Sequence, residues 1–332
     1  MQGADAKGLL RLRCILWFEF DTQGKSCNNE NYVPKKGGWM SRKAGWFLAG
    51  ILILNISFPG IAGADARWQD RKIKVGDIKI HYLEAGSGDR IIVFLTGWTM
   101  PAEIWQEQFP YFTARGFRLI AFDPRSQGET TATETGNTYQ QHAADLYQLL
   151  LNLEAEHSFI VAWSSGVTTL LEYISSPDSI RPNKIVLVDG YPAGYKKDDY
   201  PSPLTLSQFR SDFLKIQEDR EKYTEEFIKD LFKQPQPSSL LKDLRKSSLK
   251  VPIGAALSLL FDLATGDRLS ALERISVPTL IITTQENRAV GEYMKSRISR
   301  SELKVIDEAG HAIFLDKPQA FNQAVESFIG EE

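Results

Sequence analysis

The chain has 332 residues, of which 42% are hydrophobic and 24% charged, with a formal net charge of −3. That composition suits a globular chain of one large domain plus an insertion. With no Lys/Arg-rich block it carries no nucleic-acid footprint. Its two cysteines, Cys14 and Cys27, both fall near the start, which excludes a Cys nucleophile, a Cys-ligated metal and a disulfide framework from the main domain.

Residues 1–39 are mixed in character and contain Asn28-Asn29-Glu30-Asn31 and Lys35-Lys36-Gly37-Gly38. They are expected to be a disordered extension or a start assigned too early. Met40-Ser41-Arg42-Lys43 supplies a start and a basic n-region. Ala44 to Phe58 follows as an apolar run interrupted only by Asn55 and Ser57. The run is short of the ~20 residues a bilayer span needs. Ala62-Gly63-Ala64 then offers the small residues of a cleavage site. Segment 40–64 therefore reads as a signal peptide, which sends residues 65–332 to the periplasm or the exterior with no stable membrane insertion. Left uncleaved, it would anchor the chain in the inner membrane.

Beyond it, Arg71–Val75 and Ile78–Ala85 form a hairpin pattern around Gly76-Asp77. Continuous apolar runs at Ile91–Leu95, Leu119–Phe122, Phe159–Ala162, Ile185–Val188 and Leu280–Ile282, with a weaker one at Leu303–Ile306, indicate strands of a parallel sheet buried on both faces. Helical periods at Ile104–Ala114, Tyr139–Leu153, Val167–Ser175, Ala289–Ile298 and Gln319–Ile329 alternate with them. The expected fold class is α/β: a doubly wound, mostly parallel, eight-stranded sheet. One stretch breaks the alternation. Leu204–Lys233, Ser238–Ser248 and Pro252–Asp262 read as helices, with Pro235 and Pro237 marking a break, and no strand appears among them. This is expected to be a helical lid at about 193–270, inserted after strand 6.

The strand at Phe159–Ala162 runs straight into Trp163-Ser164-Ser165-Gly166 and then a helix, the context of a nucleophile elbow. The neighbours two before and two after the serine must be small, and here they are Ala162 and Gly166. The plainer alternative is a strand–helix turn capped by Ser164 or Ser165. A serine hydroxyl needs a base. His311, in Glu308-Ala309-Gly310-His311 just after the last strand, is placed for it, the alternative being a surface-loop histidine. His81 lies in an N-terminal strand, and His142 and His157 flank a helix. No His-x-x-x-His pair occurs, so no metal or other cofactor is expected.

Taken together, Leu95-Thr96-Gly97-Trp98, Phe122-Asp123-Pro124-Arg125-Ser126-Gln127-Gly128, Ala162–Gly166 and Gly310-His311 resemble the α/β-hydrolase superfamily, especially its lidded esterases and cofactor-free haloperoxidase-like enzymes. The likeness spans about residues 70–330. It implies that Ser164 attacks an acyl carbon and His311 takes its proton. It also implies that the N–H groups of Trp98 and Ser165 face the oxyanion, with Thr96 in place of the family's histidine. The acid departs from the pattern. Its usual position, after Thr279–Thr283, holds Asn287, with Glu286 beside it. The position one strand earlier holds Asp189, which is favoured over Glu286 to supply the triad charge; a turn or N-cap role is the alternative for Asp189. The resemblance assigns Asp123 and Arg125 a structural role. Trp163 and Met100 are expected to line an apolar substrate pocket near Trp98. The function implied is hydrolysis of small carboxylic esters through an acyl-enzyme, with a small-molecule ester or acyl substrate as partner and no nucleic acid. Peroxide attack on the same acyl-enzyme and C–C hydrolysis share the motif. Asn287 at the acid position favours a third reading, a non-catalytic binding module.

Overall fold

The computed structural model describes residues 68–330 apart from 196 and 198, so the expectations for 1–39 and 40–64 lie outside the described residues. Eight strands make up the sheet: β1 Gln69–Val75, β2 Ile78–Ala85, β3 Arg90–Leu95, β4 Phe117–Phe122, β5 Phe159–Trp163, β6 Lys184–Val188, β7 Thr279–Thr283 and β8 Ser301–Val305. Their order is β1-β2-β4-β3-β5-β6-β7-β8. The β1–β2 and β2–β4 pairings are antiparallel and all the others parallel. The fold is thus the eight-stranded, doubly wound, mostly parallel sheet the patterning implies.

Strand periodicity explains the two layers. Side chains alternate across a strand. Ile92, Phe94, Val161, Trp163, Val186, Val188, Leu280 and Ile282 therefore fall into one apolar core, while Val93, Leu95, Ile160, Ala162, Ile185, Leu187 and Ile281 fall into the other. Each Val, Leu, Ile or Phe among them stabilises the fold by about 1.5–3 kcal/mol when fully buried. Helices cover both faces: α1 Gln108–Thr113, α2 Tyr139–Asn152 and α3 Ser165–Ser175 in the first half of the chain. The region expected to be one helix at Ile104–Ala114 is instead a 3₁₀ turn, Ala102–Trp105, followed by the short α1.

Five helices stand between β6 and β7: α4 Leu206–Glu218, α5 Arg220–Asp230, α6 Ser238–Lys250, α7 Ile253–Thr265 and α8 Leu269–Leu272. Of these, α4, α5 and α7 contribute to a separate apolar cluster around Trp98, Phe209, Ile216, Ala256 and Leu259, whereas Leu244 of α6 joins the main core. A single helix over Leu204–Lys233 does not form. Asp219 leaves helical geometry (φ −152°, ψ 86°) and its side chain accepts from the Lys222 amide, so it ends α4 and caps α5. Ile216 and Tyr223, on either side of Asp219, fall on the same helical face, so the apolar period keeps its phase and hides the break. Pro237 and Pro252 precede the first residues of α6 and α7. The chain closes with α9 Arg288–Arg297, α10 Ile313–Asp316 and α11 Pro318–Gly330. Among the described residues no single helix is long and apolar enough to cross a membrane.

Chain order turns back between β3 and β5: β4 pairs on one side of β3 and β5 on the other. Open α/β sheets place their ligand crevice at such a switch point, outside the carboxyl ends of the strands. The loops that leave β3, β5, β6, β7 and β8 carry Trp98, Ser164, Asp189, Asn287 and His311 in turn.

Candidate active site

Ser164 joins β5 to α3 with φ 55° and ψ −123°, a conformation that costs a non-glycine residue on the order of 1–3 kcal/mol. Its side chain makes no cap bond to α3, so helix capping does not account for it. The surroundings enforce the turn. The Ser164 amide donates to Val188 O at 2.9 Å, and Ser164 O accepts from Val167 N at 3.0 Å. A Cβ on Gly166 would lie 2.9 Å from the carbonyl oxygens of Leu95 and Thr96, and one on Gly97 would lie 3.1 Å from Ser164 Cβ. The small residue two after the serine and the glycine after β3 are therefore both steric requirements. They bring the Gly97 loop against the elbow.

His311 Nε2 sits 2.8 Å from Ser164 Oγ, and Nδ1 sits 2.7 Å from Asp189 Oδ2. Since the carboxylate accepts at Nδ1, that nitrogen carries the proton and Nε2 is left to accept from the serine hydroxyl. Asp189 follows β6 at φ 44° and its side chain is fully buried. Besides His311, it accepts from the Thr284 amide at 3.0 Å, Thr284 Oγ1 at 3.3 Å and Asn287 Nδ2 at 2.9 Å. Glu286 is not brought to the ring. Its side chain is 58% exposed and lies 3.8 Å from Lys233 Nζ.

The histidine loop is tied down from behind. Asp316 Oδ2 accepts from the amides of Gly310 and Lys233, each at 2.7 Å. Its Oδ1 accepts from Gln234 N at 3.2 Å and Gln236 Nε2 at 2.9 Å. The Ala312 amide donates to Leu231 O at 2.8 Å. Asp316 thus binds the loop to the segment between α5 and α6. Sequence reasoning missed it, because a lone Asp after a His carries no motif.

Trp98 and Ser165 lie at the two turns that meet at Ser164. Gly97 O accepts from the Met100 amide at 3.2 Å, which closes a turn with Trp98 inside it, and Ser165 is the first residue of α3. The Trp98 ring points into the inserted helices. Its Nε1 donates to Ala256 O at 2.9 Å, and it meets Phe227 edge-on at 5.3 Å between centroids. Two expectations need correction. Met100 has no exposed surface and Trp163 has 1%, both inside the main core, so neither lines an open pocket. Trp163 instead donates its indole N–H to His311 O at 2.9 Å and stands behind the loop.

Asp123 and Arg125 are structural ties. Asp123 accepts from the amides of Ala102 and Glu129, each at 2.7 Å, and contacts His81 Nδ1 at 2.6 Å. Arg125 makes two bonds to Asp145, at 2.8 and 2.9 Å. Among the described residues no three His, Cys, Asp or Glu side chains gather as a metal site.

A parallel sheet closed by inserted helices, with a serine, a histidine and a buried carboxylate in one hydrogen-bonded row at its switch point, defines a hydrolase-type enzyme. The profile of the alpha/beta hydrolase family matches residues 92–324, and the chain belongs to that family. It is 25% identical over 270 residues to the non-heme chloroperoxidase CPO-A1 of Kitasatospora aureofaciens, covering 76% of this chain and 97% of that one. Two solved structures share the fold, a bromoperoxidase from Bacillus anthracis and the esterase EaEST from Exiguobacterium antarcticum. Each has a TM-score of 0.75 at 24% identity and covers 79% of this chain and 100% of its own.

Proposed function

We propose that the protein is a serine hydrolase that cleaves small carboxylic esters through an acyl-enzyme on Ser164. The observation that carries this is the unbroken row from Ser164 Oγ through His311 to Asp189, at 2.8 and 2.7 Å. Ser164 Oγ attacks the ester carbonyl as its proton passes to His311 Nε2. The buried Asp189 carboxylate faces the imidazolium so formed. The Trp98 and Ser165 amides receive the charge on the carbonyl oxygen, where each donor contributes about 10²–10³ in rate. Collapse of the tetrahedral intermediate expels the alcohol, which takes the proton from His311. Water, deprotonated by the same imidazole, then releases the acid. A fluorophosphonate probe tests the reading: the wild type is expected to label at Ser164 and Ser164→Ala to lose both labelling and esterase activity. Equal labelling of the two proteins would overturn it.

One observation favours a second reading. The similarity to CPO-A1, which is named a non-heme chloroperoxidase, supports hydrogen peroxide in place of water as the second nucleophile. Attack on the acyl-enzyme would release a peracid and restore Ser164. Bromination in acetate, bromide and peroxide, absent in Ser164→Ala, separates this from hydrolysis alone. A non-catalytic binding module loses its main support, since a carboxylate does reach His311.

A further inference from the structure

Asn287 stands at the N-terminal boundary of α9, where an asparagine ordinarily caps the helix by accepting from an amide of the first turn. Its side chain makes no such bond. Instead Nδ2 donates to Asp189 Oδ2 at 2.9 Å, and Oδ1 accepts from the Tyr191 hydroxyl at 2.9 Å. The second bond orients the first. A phenol donates to the amide oxygen, so the nitrogen is turned toward the carboxylate. Burial, and then the charge of Asp189, hold the Tyr191 hydroxyl well above its usual range, so it stays a donor. The oxygen Asn287 grips is the one that His311 Nδ1 engages, while Thr284 occupies the other. Asp189 is thus held at both oxygens, on a backbone in the left-handed region.

We propose that Asn287 is a positioning residue of this site: oriented by Tyr191, it holds Oδ2 of Asp189 against the His311 ring and contributes no charge of its own. The acid comes from the loop after β6, and the residue that aims it comes from the loop after β7. This inference rests on the serine-hydrolase reading above. Without Asn287 the carboxylate loses one of the two groups that fix Oδ2, and the imidazole follows it out of line. A carboxylate in place of Asn287 adds negative charge beside the pair and favours the imidazolium.

The test uses the full chain with Asn287→Ala and Asn287→Asp. It measures p-nitrophenyl acetate turnover, thermal unfolding and NMR titration of the histidine rings; only four histidines are present, and His311→Gln assigns the relevant one. Asn287→Ala is expected to lower kcat by about ten- to a hundredfold, the scale of a small misplacement of a catalytic group. KM should stay within about twofold, and the downfield His311 Nδ1–H signal should broaden. Asn287→Asp should move both the His311 titration and the acid limb of kcat/KM to higher pH. Two results would overturn the proposal: wild-type kcat and ring signals in Asn287→Ala, or a lower Tm with unchanged turnover per folded molecule. If the wild type neither turns over the ester nor reacts with a fluorophosphonate, the hydrolase reading fails separately. The His311 titration still decides then: a shift in Asn287→Asp upholds the grip on the Asp189–His311 pair, and no shift overturns it.

Discussion

At the scale of single residues, the partner of His311 is the point where burial and charge decide between two carboxylates. Asp189 is enclosed, bonded at both oxygens and 2.7 Å from the ring nitrogen, whereas Glu286 projects to solvent beside Lys233. Asp189→Asn is expected to lower kcat by about 10⁴, because a neutral partner neither fixes the productive tautomer nor stabilises the imidazolium. Glu286→Gln should leave kcat within about twofold, as expected for an exposed ion pair. Steady-state turnover of a chromogenic ester measures both, and the reverse order of effects would reassign the acid. From the residues alone, Ser164 and His311 were legible as a pair because a short motif or a chain position marks each. Asn287 was legible only as a missing acid. Its use as a donor depends on a side chain turning away from its own helix, which no local pattern encodes.

At the scale of elements, the site is assembled from loops that follow five different strands, and the histidine loop is secured by the insertion rather than by its own strand. Asp316 receives four bonds, three from backbone amides of Gly310, Lys233 and Gln234. Asp316→Ala would leave these part-buried donors without their carboxylate, at a cost of about 1–3 kcal/mol for each that water cannot reach. A loss of about 3 kcal/mol in unfolding free energy is expected, with reduced turnover as the His311 loop drifts from Ser164; urea melts and kcat on the same samples check it. An unchanged midpoint would show that the loop is held elsewhere. The strands and the run of helices between β6 and β7 were readable from period. The break at Asp219 and the 3₁₀ turn at Ala102–Trp105 were not, because apolar spacing continues through both.

At the scale of the molecule, two buried histidines outside the site pull stability in opposite directions with pH. Burial pushes His142 down to about 4. It is neutral in the folded chain, while the unfolded chain takes up a proton below about 6.5. Its contribution is therefore fully present above that value and is lost as pH falls toward 4, by about 3 kcal/mol at most. For His81, burial acts downward, but the Asp123 carboxylate at 2.6 Å prevails and its pKa is raised. That contribution is present below about 6.5 and is lost as pH rises through the raised value. His142→Phe should flatten the decline of Tm between pH 6.5 and 4 and leave the alkaline side unchanged, as followed by circular dichroism. A decline as steep as that of the wild type would place the acid sensitivity elsewhere.

The residue pattern by itself determined the parallel sheet, the elbow serine and the helical insertion. Apolar period, small neighbours and helix-forming runs are local properties that a linear reading can see. Only the tertiary structure decided which carboxylate meets His311, 122 positions away along the chain, and what aims it. It also decided that Met100 and Trp163 belong to the core. These outcomes depend on how loops from separate strands converge once the sheet has twisted and its register is set, and no window of sequence contains that information.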